Sequence, residues 1–154
     1  MAMQRHPIEP ARAGAGRPAS AIRGVNALQD EHQEQVALFQ WARYAESQWP
    51  ELALLHAIPN GGHRHKAVAA RMRAEGVRRG VPDICLPVPR HGWHGLYLEL
   101  KTRRGRMSPD QGWWLRHLRE QGYFAVLCRG SVSAQQTIAD YLSLPTVHPA
   151  AQLH

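Results

Sequence analysis

The sequence lacks long apolar runs, and none approaches the roughly 18 residues that a helix needs to cross a membrane. Its first residues also lack the apolar segment of a secretory signal. Cysteine is scarce: Cys85 and Cys128 both lie inside apolar runs, which excludes a dense disulfide framework and a paired-cysteine zinc site. We therefore expect a cytoplasmic protein with no membrane partner and with two buried, reduced thiols.

Acidic residues are also few relative to basic ones. Nineteen lysines and arginines face twelve aspartates and glutamates, which gives a formal charge of +7 across 154 residues. Such an excess favours a polyanionic partner, because basic side chains attract phosphate and release its counterions. Apolar residues make up 44% of the chain and charged residues 20%, a composition that indicates a folded globular domain and excludes a disordered chain.

Helix and strand signals alternate along the middle of the chain. Residues 1–29, rich in Ala, Gly, Pro and Arg, are interpreted as a flexible basic arm, 30–144 as a single domain and 145–154 as a tail. The pattern predicts helices over 30–49, 64–75, 108–121 and 133–142, and strands over 53–58, 83–88, 95–100 and 123–128. This order predicts the α/β class, with a mixed β-sheet flanked by α-helices.

Capping signals mark the start of two of these helices. Asp30 is followed three residues later by Gln33, which predicts that the first helix opens at Asp30. Ser108 and Gln111 have the same spacing, with Pro109 suited to the first turn. Both starts are therefore expected to be fixed by side-chain caps.

Two carboxylates are spaced to suit a divalent metal. Asp83 opens one predicted strand and Glu99 lies near the end of the next, so pairing of these strands would bring the carboxylates close together. Adjacent carboxylates repel unless a cation lies between them, and an oxygen-only pair suits Mg²⁺ or Mn²⁺. Lys101, two residues after Glu99, leaves the same face of the strand. An ammonium there can orient a metal-bound water and offset charge on a phosphoryl group, which indicates phosphodiester hydrolysis.

The surroundings of this pair distinguish a functional site from ordinary surface charges. Glu99 follows the apolar run Leu96-Tyr97-Leu98, where a charge is costly unless it has a use. Arginines lie on both sides of the two carboxylates, as a groove that binds and cleaves a phosphate backbone requires. They are Arg78, Arg79, Arg103, Arg104 and Arg106.

Several motifs occur together in one order and carry a family resemblance. They are the helix 31–49, Ile58-Pro59-Asn60-Gly61-Gly62-His63-Arg64, the segment 75–83 ending in Arg78-Arg79-Gly80-Val81-Pro82-Asp83, Gly95-Leu96-Tyr97-Leu98-Glu99-Leu100-Lys101, and Ser108-Pro109-Asp110-Gln111. Over about 31–142 the chain resembles the VRR-NUC family of the PD-(D/E)XK nuclease superfamily. The resemblance implies a restriction-endonuclease-like core and metal-dependent cleavage of branched or otherwise structured DNA, such as four-way junctions. It also implies a small homodimeric protein of a bacterium or a phage-infected cell.

The resemblance further implies a role for each residue at the matching positions. Asp83 and Glu99 would be metal ligands, the Leu100 carbonyl a third ligand and Lys101 the catalytic lysine. Attack of water would displace the 3′-oxygen and leave a 5′-phosphate.

A glutamate on the first helix is implied to complete the catalytic set. Glu31 and Glu34 both fall on the inward stripe of that helix, and the choice between them stays open. Glu31 is favoured because Gln35, four residues on, fits the family's E-x-x-x-Q pattern. Gln111 matches a glutamine at the edge of the site; its other role is in the capping box, and we do not expect one side chain to fill both roles.

The turn at Asn60 and the basic residues after it allow two interpretations. The turn ends a strand through glycine's conformational freedom, and it also suits contact with the scissile strand. We expect Asn60 to shape the pocket and Arg64 and Lys66 to contact phosphates.

Histidines and tryptophans suggest further possibilities that we consider weaker. The loop pairs His63/His65 and His91/His94 could bind zinc, but no cysteine lies at ligand spacing. Trp93 is the tryptophan most expected to be exposed. The others are expected to pack in the core: Trp41, Trp49, Trp113 and Trp114.

Two other functions compete with a nuclease. One is a DNA-binding module of the same fold without catalysis, and the other is a homodimeric accessory protein that positions DNA for another enzyme. The presence of Asp83, Glu99 and Lys101 together counts against the non-catalytic binding module, and the accessory protein stays an open alternative.

Overall fold

The computed structural model of the protein describes residues 19–59 and 66–146, with side chains over 30–59 and 67–146. The described part contains four α-helices and four β-strands, in the order predicted from the sequence. They are α1 (Ala19–Ala45), β1 (His56–Ala57), α2 (Lys66–Ala74), β2 (Ile84–Leu86), β3 (Leu96–Lys101), α3 (Pro109–Glu120), β4 (Phe124–Arg129) and α4 (Ser131–Leu142). A short 3-10 helix, Pro50–Leu54, lies between α1 and β1.

The four strands form one mixed sheet in the order β1-β2-β3-β4. The β1–β2 and β2–β3 pairs are antiparallel, whereas β3 and β4 are parallel and are joined through α3. Ile84 is opposite Leu98 in the β2–β3 register. The predicted α/β fold with a mixed sheet flanked by helices is therefore confirmed.

Alternation along β3 gives the sheet two chemically different faces. Leu96, Leu98 and Leu100 are fully or nearly fully buried and join the hydrophobic core. Helices α1 and α4 pack against each other and against β3, and they contribute Leu38 and Ile138 to that core. Burial of each large aliphatic side chain contributes about 1.5–3 kcal/mol, so this layer stabilises the fold. Glu99 and Lys101 extend from the other face of β3, because successive side chains in a strand alternate.

Two predicted elements differ from the structure. Helix α1 begins at Ala19, so the start predicted at Asp30 is wrong. The part of α1 before Asp30, residues 19–29, contains no proline, and its alanines, leucine and glutamine favour helix. The interpretation of residues 1–29 as a flexible arm stays a prediction.

The predicted buried strand 53–58 is also wrong. Its first residues belong to the 3-10 helix, and β1 contains only His56 and Ala57, which are both exposed. A short apolar run does not by itself distinguish a strand from a helical turn. Pro50 suits the first turn of the 3-10 helix, which buries Leu52.

Candidate active site

Strand register brings Asp83 beside the end of β3. Because Ile84 pairs with Leu98, the next position on each strand is Asp83 on one side and Glu99 on the other. The Asp83 carbonyl accepts a hydrogen bond from the Ile58 N–H at 2.7 Å. Its carboxylate oxygen Oδ2 accepts one from the Leu100 N–H at 2.9 Å. Backbone N–H groups directly after β1 and within β3 therefore hold Asp83 at the site.

The Leu100 carbonyl faces the same edge of β3 as Asp83. In a strand, the N–H and C=O of one residue point to the same side, and the Leu100 N–H points to Asp83. The carbonyls of Gly95 and Lys101 point the other way, toward Phe124 and Gly130 at either end of β4. The backbone therefore turns the Leu100 oxygen toward the site.

Glu99 is fully buried and has one carboxylate oxygen without a partner. Its Oε1 accepts hydrogen bonds from the Lys101 ammonium, at 2.9 Å, and from the Gln111 side-chain amide. Its Oε2 is buried with no hydrogen-bond partner. A buried charged oxygen left unpaired is costly, so its presence indicates a site that is completed by another group.

Arg90 shows how the same fold treats a buried charge in a structural role. Its guanidinium lies 2.5 Å from a Glu51 oxygen and also donates to the carbonyls of Pro89 and Leu142. The charge is therefore compensated on several sides by groups of the protein, in contrast to the carboxylate of Glu99.

Lys101 connects Glu99 to α1. The ammonium lies 2.9 Å from Glu99 and 3.3 Å from a Glu31 oxygen. Glu34 lies elsewhere: its carboxylate accepts a hydrogen bond at 2.6 Å from the Ser131 N–H, at the start of α4. Of the two glutamates that the sequence left open, Glu31 is the one near the central carboxylate.

Glu34 instead caps α4, where Gly130 provides no side-chain cap. Hydrogen bonds to Ser131 are the largest cause that lowers the pKa of Glu34 below its ordinary value; burial opposes them, and the positive charge of Arg103 makes a smaller contribution that also lowers the pKa. A carboxylate at a helix N-terminus also interacts favourably with the helix dipole. The role of Glu34 in this fold is thus explained by α4 without reference to the site.

Gln111 fills both roles that the sequence analysis treated as exclusive. Its side-chain oxygen accepts from the Ser108 N–H at 2.8 Å, and Ser108 Oγ accepts from the Gln111 N–H, which completes a capping box. The side-chain nitrogen of Gln111 donates to Glu99. The expectation that one side chain would not do both is wrong, because the two ends of the amide point in different directions.

Burial and neighbouring charges together set the pKa values of Glu99 and Lys101. Burial is the largest cause that raises the pKa of Glu99, to about 7, and the charge of Asp83 adds to it. Burial also acts on Lys101, in the direction that lowers its pKa. The hydrogen bond to Glu99 and the charges of Glu99, Glu31 and Asp83 outweigh it, so the pKa of Lys101 is raised and its ammonium stays charged.

The raised pKa of Glu99 predicts a pH-dependent stability in the absence of divalent cations. Between pH 4.5 and about 7 the folded state binds more protons than the unfolded chain. The free energy of unfolding should therefore fall as pH rises through this interval, by on the order of 3 kcal/mol. Urea unfolding in EDTA at pH 5 and pH 7.5 measures the change.

The matched control for this prediction is Glu99→Gln, which removes the titrating group. The lowered pKa values of Glu34 and Glu51 act at more acidic pH and are common to both proteins. The difference between the two unfolding profiles therefore isolates Glu99. Parallel profiles would contradict the assignment of a raised pKa to this residue.

A cavity of about 510 Å³ gives access to the cluster. Asp83, Lys101, Glu31 and Gln111 line it together with residues of α2 and of the turn before β2. That turn contributes the arginines predicted to contact nucleic acid, Arg78 and Arg79. The structure thus brings these two arginines to the same opening as the acidic residues.

Gly80 fixes the position of this arginine turn. It has φ +80°, and a Cβ added there would lie 2.6 Å from the Asp110 backbone at the start of α3. Glycine is therefore required both by the backbone conformation and by the close approach of the two segments. The turn and α3 consequently form one continuous wall.

Three further predicted DNA-binding residues, Arg103, Arg104 and Arg106, are described by the structure and do not line this cavity. Arg103 and Arg104 line a separate cavity with Glu34 on α1, and Arg106 is exposed. Arg129 donates to the carbonyls of Arg103 and Gly105 and so fixes the loop that carries them. Asn60 and Arg64 lie outside the described residues, as does the Lys66 side chain. All of these residues stay predictions as DNA contacts.

The tryptophans are distributed differently from the prediction. Trp41 and Trp49 pack against the core, as expected, but so does Trp93, whose ring meets Phe124 edge-on at 5.7 Å. Trp113, predicted to pack in the core, is 49% exposed. Adjacent helical positions differ in direction by about 100°, and on α3 it is Leu115 that is buried.

The donor chemistry fits a hard divalent cation. The described residues contain no group of three or more His, Cys, Asp or Glu side chains that could hold a metal. Mg²⁺ needs no such group, because it usually keeps several waters and uses one or two carboxylates plus substrate phosphate. The unpartnered Glu99 oxygen and the Asp83 charge beside it match that requirement. His91 and His94 form no zinc group, and His63 and His65 lie outside the described part.

The structure thus places two acidic residues and a lysine together at the end of a central strand of an α/β core. The VRR-NUC domain model matches residues 25–132. A solved structure described as a VRR_NUC domain protein aligns with a TM-score of 0.65 and 25% identity, covering 80% of this chain and 97% of the other. The chain therefore belongs to the VRR-NUC family, a nuclease-type family of DNA-processing proteins.

A search of the curated proteins gave no match. In the described part of the chain, no helix has the length and apolar character needed to span a bilayer.

Proposed function

We propose that the protein is a Mg²⁺- or Mn²⁺-dependent DNA endonuclease that hydrolyses phosphodiester bonds. The single observation that carries this proposal is Glu99, which is completely buried, has one oxygen without a partner and lies within reach of the Lys101 ammonium. Such a group does not stabilise the fold, because burying a carboxylate whose oxygen lacks a hydrogen-bond partner is unfavourable. Function is the remaining reason to retain it.

The carboxylates of Asp83 and Glu99 would hold the cation, with the Leu100 carbonyl as a third ligand. When bound, a divalent cation supplies positive charge to the scissile phosphate and lowers the pKa of a bound water. Three contacts orient the side chains around the cation site: the Leu100 N–H orients Asp83, Gln111 orients Glu99, and Glu31 orients Lys101.

Lys101 has the task of orienting the attacking water and offsetting the negative charge that develops on phosphate. Its raised pKa keeps the ammonium charged, so it can do so at neutral pH. Displacement of the 3′-oxygen would leave a 5′-phosphate. Arg78 and Arg79 line the same cavity and provide charge for the flanking phosphates.

A cleavage panel tests the proposal. Labelled single strand, nicked duplex, flap, splayed arm and four-way junction are incubated with the protein in Mg²⁺, Mn²⁺ or EDTA. Cleavage of at least one substrate, dependent on the cation and yielding 5′-phosphate ends, is expected. DNA that is bound but left intact under every condition would favour the non-catalytic binding module. The family resemblance also predicts a preference for branched DNA and a homodimer. The same panel tests the substrate preference, and light scattering tests the oligomeric state.

A further inference from the structure

A second cavity, of about 640 Å³, lies beside the active-site cavity and has a different chemical character. Its walls combine two indole rings with three arginine side chains. We call it the tryptophan groove, lined chiefly by Arg73, Arg78, Arg79, Trp113 and Trp114. The arginines are all exposed, and the Arg79 side chain makes a long contact, 3.8 Å, with Asp110, which also lines the groove.

The aromatic wall of the groove is held in place by contacts within the protein. Trp114 donates its indole N–H to the Arg79 carbonyl at 2.9 Å, which ties the ring to the arginine turn. Trp113 stacks on the His117 ring, with 3.9 Å between centroids, and meets Trp114 edge-on. Yet 49% of Trp113 stays exposed. An exposed indole fixed on one side by a stacked ring is a ready platform for a further flat ring.

The groove continues into the active-site cavity. Arg73, Arg78 and Arg79 line both, as does Asp110. A chain of phosphates that reaches Lys101 can therefore remain in contact with the same guanidinium groups as it passes toward the indoles. A ligand that suits this route is polyanionic and carries flat rings.

We propose that the tryptophan groove binds an unpaired stretch of the DNA strand next to the scissile phosphate, with a base on Trp113 and phosphates on the arginines. Bases in a continuous duplex are stacked on each other and offer no free face, whereas an unpaired base stacks readily on an aromatic side chain. This inference rests on the proposed function. It predicts that the preferred substrate is DNA with a single-stranded segment at the cleavage point, such as a flap or splayed arm. A fully paired four-way junction should be a poorer substrate.

Binding without cleavage tests the groove separately from the chemistry. Affinities for a single-stranded oligonucleotide and for a blunt duplex are measured by fluorescence anisotropy in EDTA. Trp113→Ala should weaken single-strand binding by roughly 5- to 100-fold and leave duplex binding nearly unchanged. Trp113→Phe, which keeps a ring, should retain most of the affinity. The control is Tyr44→Ala, since Tyr44 is 85% exposed on α1 and lines none of these cavities.

Equal single-strand affinity of wild type and Trp113→Ala would overturn the inference and leave the proposed nuclease intact. If Trp113→Ala loses single-strand binding but the wild type cleaves none of the DNA substrates, the groove is supported and the proposed nuclease activity is overturned. If Trp113→Ala does not fold, the test uses NMR spectra of the indole N–H groups in the wild-type protein. The Trp113 signal is assigned as the one that is missing from Trp113→Phe. A shift of that signal on addition of the oligonucleotide supports stacking, and an unmoved signal contradicts it.

Discussion

Replacement of Lys101 with methionine is expected to lower the rate of DNA cleavage by roughly 10²- to 10³-fold, the effect typical of removing one preorganised group that stabilises developing charge. Methionine has a similar length and suits a buried position, so the change removes the ammonium with little change in volume. Single-turnover cleavage of the best substrate in Mn²⁺ measures the loss. Affinity for DNA should change little, because the arginines that line the cavity remain.

Arg43→Met is the matched control for Lys101→Met. It also removes one positive charge, but Arg43 is exposed near the end of α1 and lines none of the cavities. Its cleavage rate should stay close to that of the wild type. A Lys101→Met protein that cleaves within about threefold of the wild type would remove Lys101 from the proposed chemistry.

Replacement of Asp83 with asparagine is expected to abolish the stabilisation that divalent cations give to the folded protein. At a Mn²⁺ concentration of about 100 times the dissociation constant, binding to the native state adds about 2.7 kcal/mol. For a chain of this size that corresponds to a rise in Tm of roughly 5–10 °C. Asparagine keeps an oxygen able to accept from the Leu100 N–H, so the contact between β2 and β3 survives while the charge is lost. Cleavage should fall together with the thermal shift.

Thermal unfolding at pH 7.5, with Mn²⁺ and then with excess EDTA, measures this effect. Asp140→Asn is the control, since it removes a carboxylate from the exposed surface of α4. It should keep the full thermal shift. An undiminished shift in Asp83→Asn would mean that the cation binds elsewhere, and the metal assignment would then be wrong even if the protein cleaves DNA.

Local sequence patterns predicted the central geometry well. Asp83 and Glu99 flank apolar strands that are close in sequence, so antiparallel pairing left few registers to consider. The start of α3 was equally predictable, because Ser108 and Gln111 form a capping box from neighbouring residues alone. Both features depend on residues near one another in the chain.

Features that depend on distant parts of the chain were not predictable in the same way. Glu31 and Glu34 lie on one helical face, and the choice between them depends on where β3 ends and α4 begins. The start of α1 was missed because Asp30 matches a capping signal within a longer helix. The exposure of Trp113 depends on how α3 is rotated about its axis against the sheet. The amphipathic pattern of α3 does not fix this rotation closely enough to show which of the adjacent residues Trp113 and Trp114 faces solvent.

Gln111 illustrates how narrowly this arrangement limits substitution. Its side chain must accept a hydrogen bond at the first turn of α3 and donate one to Glu99 at the same time. Glutamate could replace it in the capping box but would add a second carboxylate beside a buried one. Lysine or arginine could donate but has no acceptor, and asparagine is shorter by one methylene. Helix folding and site chemistry thus impose different requirements on this position, and glutamine is the natural side chain that meets both.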